Sequence, residues 1–119
     1  VIVVEFTSKW DKAALGEIEQ KAQIAREEAA VEVRANDGGP EDETAWQETA
    51  AAFDRCLKGN KLTIESADDA YHIVTEIRDA ADVMIDAAEG NFDDERKLAR
   101  KLAKALRTAA DAIAKHFAL

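Results

Sequence analysis

The sequence predicts a mainly α protein, a compact helical bundle of about four helices with a short two-stranded β element, forming a single domain over residues 1–119. Three observations predict it. Apolar residues recur at spacings of three and four along four long stretches, strand-like alternation marks Val1–Phe6 and Lys61–Glu65, and glycine-rich breakers fall between the helical stretches. A chain of 119 residues suits one domain, since domains cluster near ~100–150 residues. With 47% hydrophobic and 34% charged residues, the composition is that of a globular chain, not a disordered one.

The opening stretch places Ile2, Val4 and Phe6 on one face of a strand and Val1, Val3 and Glu5 on the other. Helix one starts at Ser8, a cap residue with Asp11 three positions on, and runs to about Ala35 before the breaker Asn36-Asp37-Gly38-Gly39-Pro40. Its inner stripe is Trp10, Ala14, Ile18, Ala22, Ala25, Ala29 and Val33. Val31-Glu32-Val33-Arg34 alternates like a strand, but the alanines and glutamates before it favour helix.

Helix two opens at Pro40, with Glu41, Asp42 and Glu43 complementing the helix dipole, and presents Trp46, Ala50, Phe53 and Leu57. After the turn signal Gly59-Asn60, Leu62 and Ile64 form a second strand able to pair with the first. Helix three is capped by Ser66 with Asp69 as its box partner, and buries Ala70, Ile73, Ile77, Ala80, Ala81, Met84 and Ala88 before Gly90 stops it. Asn91 and Asp94 offer a cap for helix four, whose stripe is Leu98, Leu102, Leu106, Ala109, Ile113 and Phe117. The short break at Gly90-Asn91 makes helices three and four an antiparallel hairpin.

Charge is segregated along the chain. Residues 61–95 hold eleven acids against two bases, residues 96–119 hold seven bases against one acid, and the whole chain is −9. Such a chain repels nucleic acid and anionic membranes over most of its surface and prefers basic partners. Projected at about 100° per residue, Asp68, Asp79, Asp82, Asp86 and Glu89 share one side of helix three, with Glu76 at its flank. This ridge of like charge is either a solvated face or a surface imitating a phosphate backbone, and these six residues are the candidate partner-binding site. Arg96, Arg100, Lys104 and Arg107 line the outer face of helix four beside Lys97 and Lys101. No interleaved aromatics or glycines accompany them, so direct nucleic-acid binding is not expected.

Other chemistry finds little support. His72 stands among Asp68, Asp69 and Glu76 as a structural histidine, His116 is a surface residue, and Cys56 has no histidine near it in sequence. Ser8 and Ser66 are accounted for as caps, and Gly38-Gly39-Pro40 lacks the lysine and hydroxyl of a phosphate loop. No catalytic residue, cofactor or metal ligand is therefore expected. A single cysteine and the lack of any long apolar run point to a cytoplasmic protein without membrane insertion or export.

Glu27, Glu28 and Glu32 in helix one, with Glu76 and Asp79 in helix three, resemble the magnesium-binding carboxylates of all-α nucleotide pyrophosphohydrolases. The resemblance implies a glutamate cluster on one helix and a Glu-x-x-Asp on another holding Mg²⁺ against substrate phosphates. Here an extra helix intervenes between the clusters, and the projection turns Asp79 outward.

The expected function is that of a small acidic, non-catalytic binding protein. It would be an inhibitor acting by protein–protein contact on a basic or nucleic-acid-binding partner, as in phage or mobile-element anti-CRISPR and anti-restriction proteins working in the host cytoplasm. A toxin-neutralising immunity protein has the same requirements. The competing classes are the magnesium-dependent pyrophosphohydrolase and a homo-oligomeric structural or regulatory subunit. A homodimer through the first strand is also expected, because Ile2, Val4 and Phe6 offer apolar surface beside an unpaired backbone edge.

Overall fold

The computed structural model of the chain describes residues 1–35 and 40–119, with side chains described over 1–32 and 45–119. The element order is β1 (Ile2–Glu5), α1 (Lys9–Ala35), α2 (Pro40–Cys56), β2 (Leu57–Lys58), β3 (Lys61–Ile64), α3 (Ala67–Ala88) and α4 (Asp93–Phe117). The expected breaker at Asn36–Gly39, the stripe residue Val33 and the acidic turn of Glu41, Asp42 and Glu43 lie outside the described residues or side chains.

Among the described residues the sheet has three strands, not the two expected, in the antiparallel order β1-β3-β2. Leu57, read as the last apolar residue of helix two, instead pairs with Leu62, and Lys58 pairs with Lys61. The cause is local: Gly59 adopts φ +64°, which closes a two-residue turn and folds Leu57-Lys58 back onto β3. On the other side of β3, Ile2 pairs with Ile64 and Val4 with Leu62. The inner face, with Leu62 and Ile64 wholly buried and Phe6 buried just beyond β1, packs onto the helices.

Helix α1 is capped reciprocally: the Asp11 N–H donates to Ser8 Oγ (3.1 Å) and the Ser8 N–H donates to Asp11 Oδ2 (3.3 Å). It stays helical through Val31–Ala35, so the strand alternative there is not taken. Ala14, Ile18, Ala22 and Ala25 are fully buried along its inner stripe, while Trp10 is half-buried. Helix α2 contributes Ala50, Ala52, Phe53 and Cys56 to the interior.

Helix α3 follows the expected register: Ala70, Ile73, Ile77, Ala80, Ala81 and Ala88 are buried, and Met84 is half-buried. Ser66 Oγ accepts from the Asp69 N–H, and Gly90 at φ +85° ends the helix in the left-handed region open to glycine. Arg78–Asp111 (3.3 Å) and Arg107–Asp82 (2.8 Å) tie α3 to α4 as an antiparallel hairpin.

Two expectations for helix four are corrected. Its N-cap is Phe92, which makes no side-chain cap bond, so Asn91 and Asp94 do not serve; the acidic first turn Asp93, Asp94 and Glu95 offsets the helix dipole instead. Leu98 is 54% exposed, because α4 enters the buried cluster only from Leu102 and Ala103 onward, past the hairpin tip.

Among the described residues, the largest fully buried side chains are Phe53, Ile18, Leu62, Ile64, Ile73, Ile77, Leu106 and Ile113. Each contributes about 1.5–3 kcal/mol of transfer free energy. Alanine supplies much of the remaining interior, which lets helix axes approach closely at the expense of area buried per residue. No helix among the described residues is long and apolar enough to cross a membrane.

Candidate functional site

The apolar stripe of α3 faces the interior, so its opposite side must carry the polar residues to solvent. Asp68, Asp79, Asp82, Asp86 and Glu89 are all exposed there, and Glu76 is half-buried at the flank facing α1. The structure thus places five of the six candidate residues on the outward side of one helix and Glu76 at its flank. It does not leave them equivalent. Lys21 of α1 reaches Asp79 (2.5 Å) and Glu76 (3.6 Å), and Arg107 of α4 reaches Asp82 (2.8 Å). Among the described residues Asp68, Asp86 and Glu89 have no ion-pair partner. Six carboxylates therefore meet two cations, and the ridge keeps a large negative excess. The exposed pairing with Arg107 binds weakly, on the order of 0–1 kcal/mol, and can be exchanged for a partner's cation.

Beneath the ridge, where α2 meets α3, lies a polar cluster that sequence reasoning missed. Asp69 is buried, and Arg55 holds its carboxylate at two points, Nη2 to Oδ1 at 2.6 Å and Nε to Oδ2 at 3.1 Å. This guanidinium keeps the Asp69 carboxyl below the usual aspartate range despite the opposing effect of burial. The Cys56 thiol donates to the same carboxylate at 3.7 Å. Burial, with the adjacent Asp69 charge, pushes the thiol up to about 11, so at neutral pH it is a protonated donor and not a nucleophile. A usable signal existed, because the helical projection puts Asp69 on the inward side of α3, where a carboxylate needs a cation.

His72 also differs from its expected surroundings. Its Nδ1 stands 3.2 Å from Thr49 Oγ1 and its Nε2 3.5 Å from Glu48, so its partners come from α2 and not from Asp68, Asp69 or Glu76. The Thr49 hydroxyl donates to the Ala45 carbonyl (3.0 Å) and lies within hydrogen-bond distance of His72 Nδ1. Thr49 is itself buried.

The basic side of the molecule is α4. Lys101 and Lys9 both lie against the Trp10 ring (5.7 and 5.6 Å), and Arg96 pairs with Asp93. Lys97, Arg100 and Lys104 have no ion-pair partner among the described residues. Between α1 and α3 runs a groove of about 350 Å³ with Ile24, Ala80, Val83, Met84 and Ala87 on its walls and Glu17, Gln20 and Lys21 at its edge.

Among the described residues no three of His, Cys, Asp and Glu come together as a metal-holding group. Glu76 and Asp79, two of the carboxylates that resemble a magnesium site, converge on the Lys21 ammonium, while Glu27 accepts from Gln23. Compared with known proteins, the chain matches no family model, no curated protein and no solved structure.

Proposed function

We propose that the protein is a small, non-catalytic binding protein that captures a basic protein surface through the outward face of α3, and that it inhibits a nucleic-acid-binding enzyme of the kind targeted by phage anti-CRISPR and anti-restriction proteins. The observation that carries this reading is the ridge itself: acids on one exposed helix face, only partly offset by Lys21 and Arg107. A row of carboxylates at one-turn spacing offers a basic groove regularly placed charge, which raises association rates by electrostatic steering. The protonated thiol of Cys56, hydrogen-bonded to Asp69, favours binding over nucleophilic chemistry.

The test is affinity capture from a cytoplasmic lysate of the cognate host, followed by calorimetry with the captured enzyme. Replacing Asp79, Asp82 and Asp86 together with asparagine should weaken binding by more than about tenfold and flatten its salt dependence, with helicity unchanged. Unchanged affinity at both low and physiological salt sinks the proposal.

The outer edge of β1 favours a second reading, a homodimer joined through that strand, since among the described residues β1 pairs with β3 on one side only. Its apolar face no longer argues for this, because Phe6 is buried and Ile2 and Val4 already pack against the core of the same chain. Sedimentation at high micromolar concentration distinguishes a dimer from a monomer.

A further inference from the structure

The groove between α1 and α3 is apolar where a solvated acidic face has no need to be. Val83 is 55% exposed and Ile24 is 37% exposed, and both line a groove of about 350 Å³ together with Ala80, Met84 and Ala87. Val83 is also bracketed by acids on its own helix, Asp79 one turn before it and Asp86 one turn after. The groove's only cation among the described residues, Lys21, is engaged by Glu76 and Asp79, whereas Glu17 and Asp86 have no such partner. An apolar slot with Glu17 on its lining and Asp86 one turn along from Val83, both without an ion-pair partner among the described residues, is complementary to one kind of surface: an aliphatic side chain flanked one turn away by lysine or arginine.

We propose that this groove seats a basic amphipathic helix of the partner, with an aliphatic side chain inserted between Ile24 and Val83 and cations set against Asp86 and Glu17. The inference rests on the reading of α3 as the recognition face and makes that recognition apolar-anchored instead of electrostatic alone. Acids without an apolar slot would bind any polycation, while the slot demands a cation pattern in register with an aliphatic anchor.

The test uses two synthetic sixteen-residue peptides of lysine and leucine with identical composition, one amphipathic as a helix and one scrambled so that no apolar face forms. Calorimetry at physiological salt should give the wild-type protein a preference of about tenfold or more for the amphipathic peptide. Ile24→Ser combined with Val83→Ser should abolish that preference and leave the affinity for the scrambled peptide unchanged. Both positions are exposed, and circular dichroism verifies that the double variant folds. Equal affinity of the wild-type protein for the two peptides overturns the groove and leaves the acidic-surface reading standing, whereas binding of neither peptide overturns both. Concentration-dependent self-association that blocks the peptide and is lost in Leu98→Ser also overturns it, since Leu98 with Lys97 and Lys101 would then make a second copy the occupant.

Discussion

Arg55 and Asp69 form a two-point ion pair across the junction of α2 and α3, and the thiol of Cys56 points at the same carboxylate oxygen that Arg55 Nε engages. A cation, a carboxylate and a neutral thiol are thereby locked together at the place where α2 gives way to the sheet.

This cluster predicts opposite pH dependences at the two ends of the scale. The Asp69 carboxyl sits below its ordinary value, so the stability it contributes is present above about pH 4 and lost as pH falls through its lowered folded value. Cys56 is the reverse case: its thiol ionises near 9 when unfolded and at about 11 when folded, so its contribution is complete below pH 9 and lost as pH rises toward 11. Thermal melts should show Asp69→Asn flattening the acid limb and Cys56→Ala flattening the alkaline limb relative to wild type. Curves that stay parallel across both limbs would contradict the assignment.

The register of α3 predicts a sharp contrast between its two faces. Ile77 is fully buried and Asp86 is exposed. Ile77→Asp should cost more than about 4 kcal/mol and unfold the domain, because an unpaired carboxylate would enter an apolar site. Asp86→Ala should change stability by less than about 0.5 kcal/mol. Denaturant unfolding of the two variants checks both, and similar midpoints would mean that the helix is rotated from its described orientation.

Two glycines predict changes of opposite sign. Gly16 lies within α1 with open space where a Cβ would sit, so Gly16→Ala should stabilise by about 0.5–1 kcal/mol. Gly59 has equal room but φ +64°, so Gly59→Ala should destabilise by about 1 kcal/mol through the backbone alone. A shared sign in equilibrium unfolding would refute the turn geometry.

The parts of the fold legible in the sequence were those fixed by local pattern. The stripe from Ala70 to Ala88 and the Ser66 cap are short-range features, and the structure reproduces them. Strand β2 was not legible because Leu57 satisfies a helical stripe and a strand pairing equally well; only the turn at Gly59 decides between them. The ridge could be read as a charge pattern, but its counterions could not, since Lys21 comes from α1 and Arg107 from α4, and only tertiary packing brings them to Asp79 and Asp82. The Asp69 partner was hidden for a similar reason: the capping role of Asp69 accounted for its backbone and left its carboxylate unassigned until Arg55 was placed beside it.

The central position of β3 fixes the order in which the sheet can assemble. β2 and β3 meet across a two-residue turn and can close within about 1–10 μs, whereas Ile2 must find Ile64 across about sixty residues that include both α1 and α2. The loop-closure entropy of that separation disfavours early docking of β1 relative to the β2–β3 hairpin. In hydrogen exchange the amides of β1, an edge strand, should open at lower free energy than those of β3, so that β1 would act as a latch on the sheet.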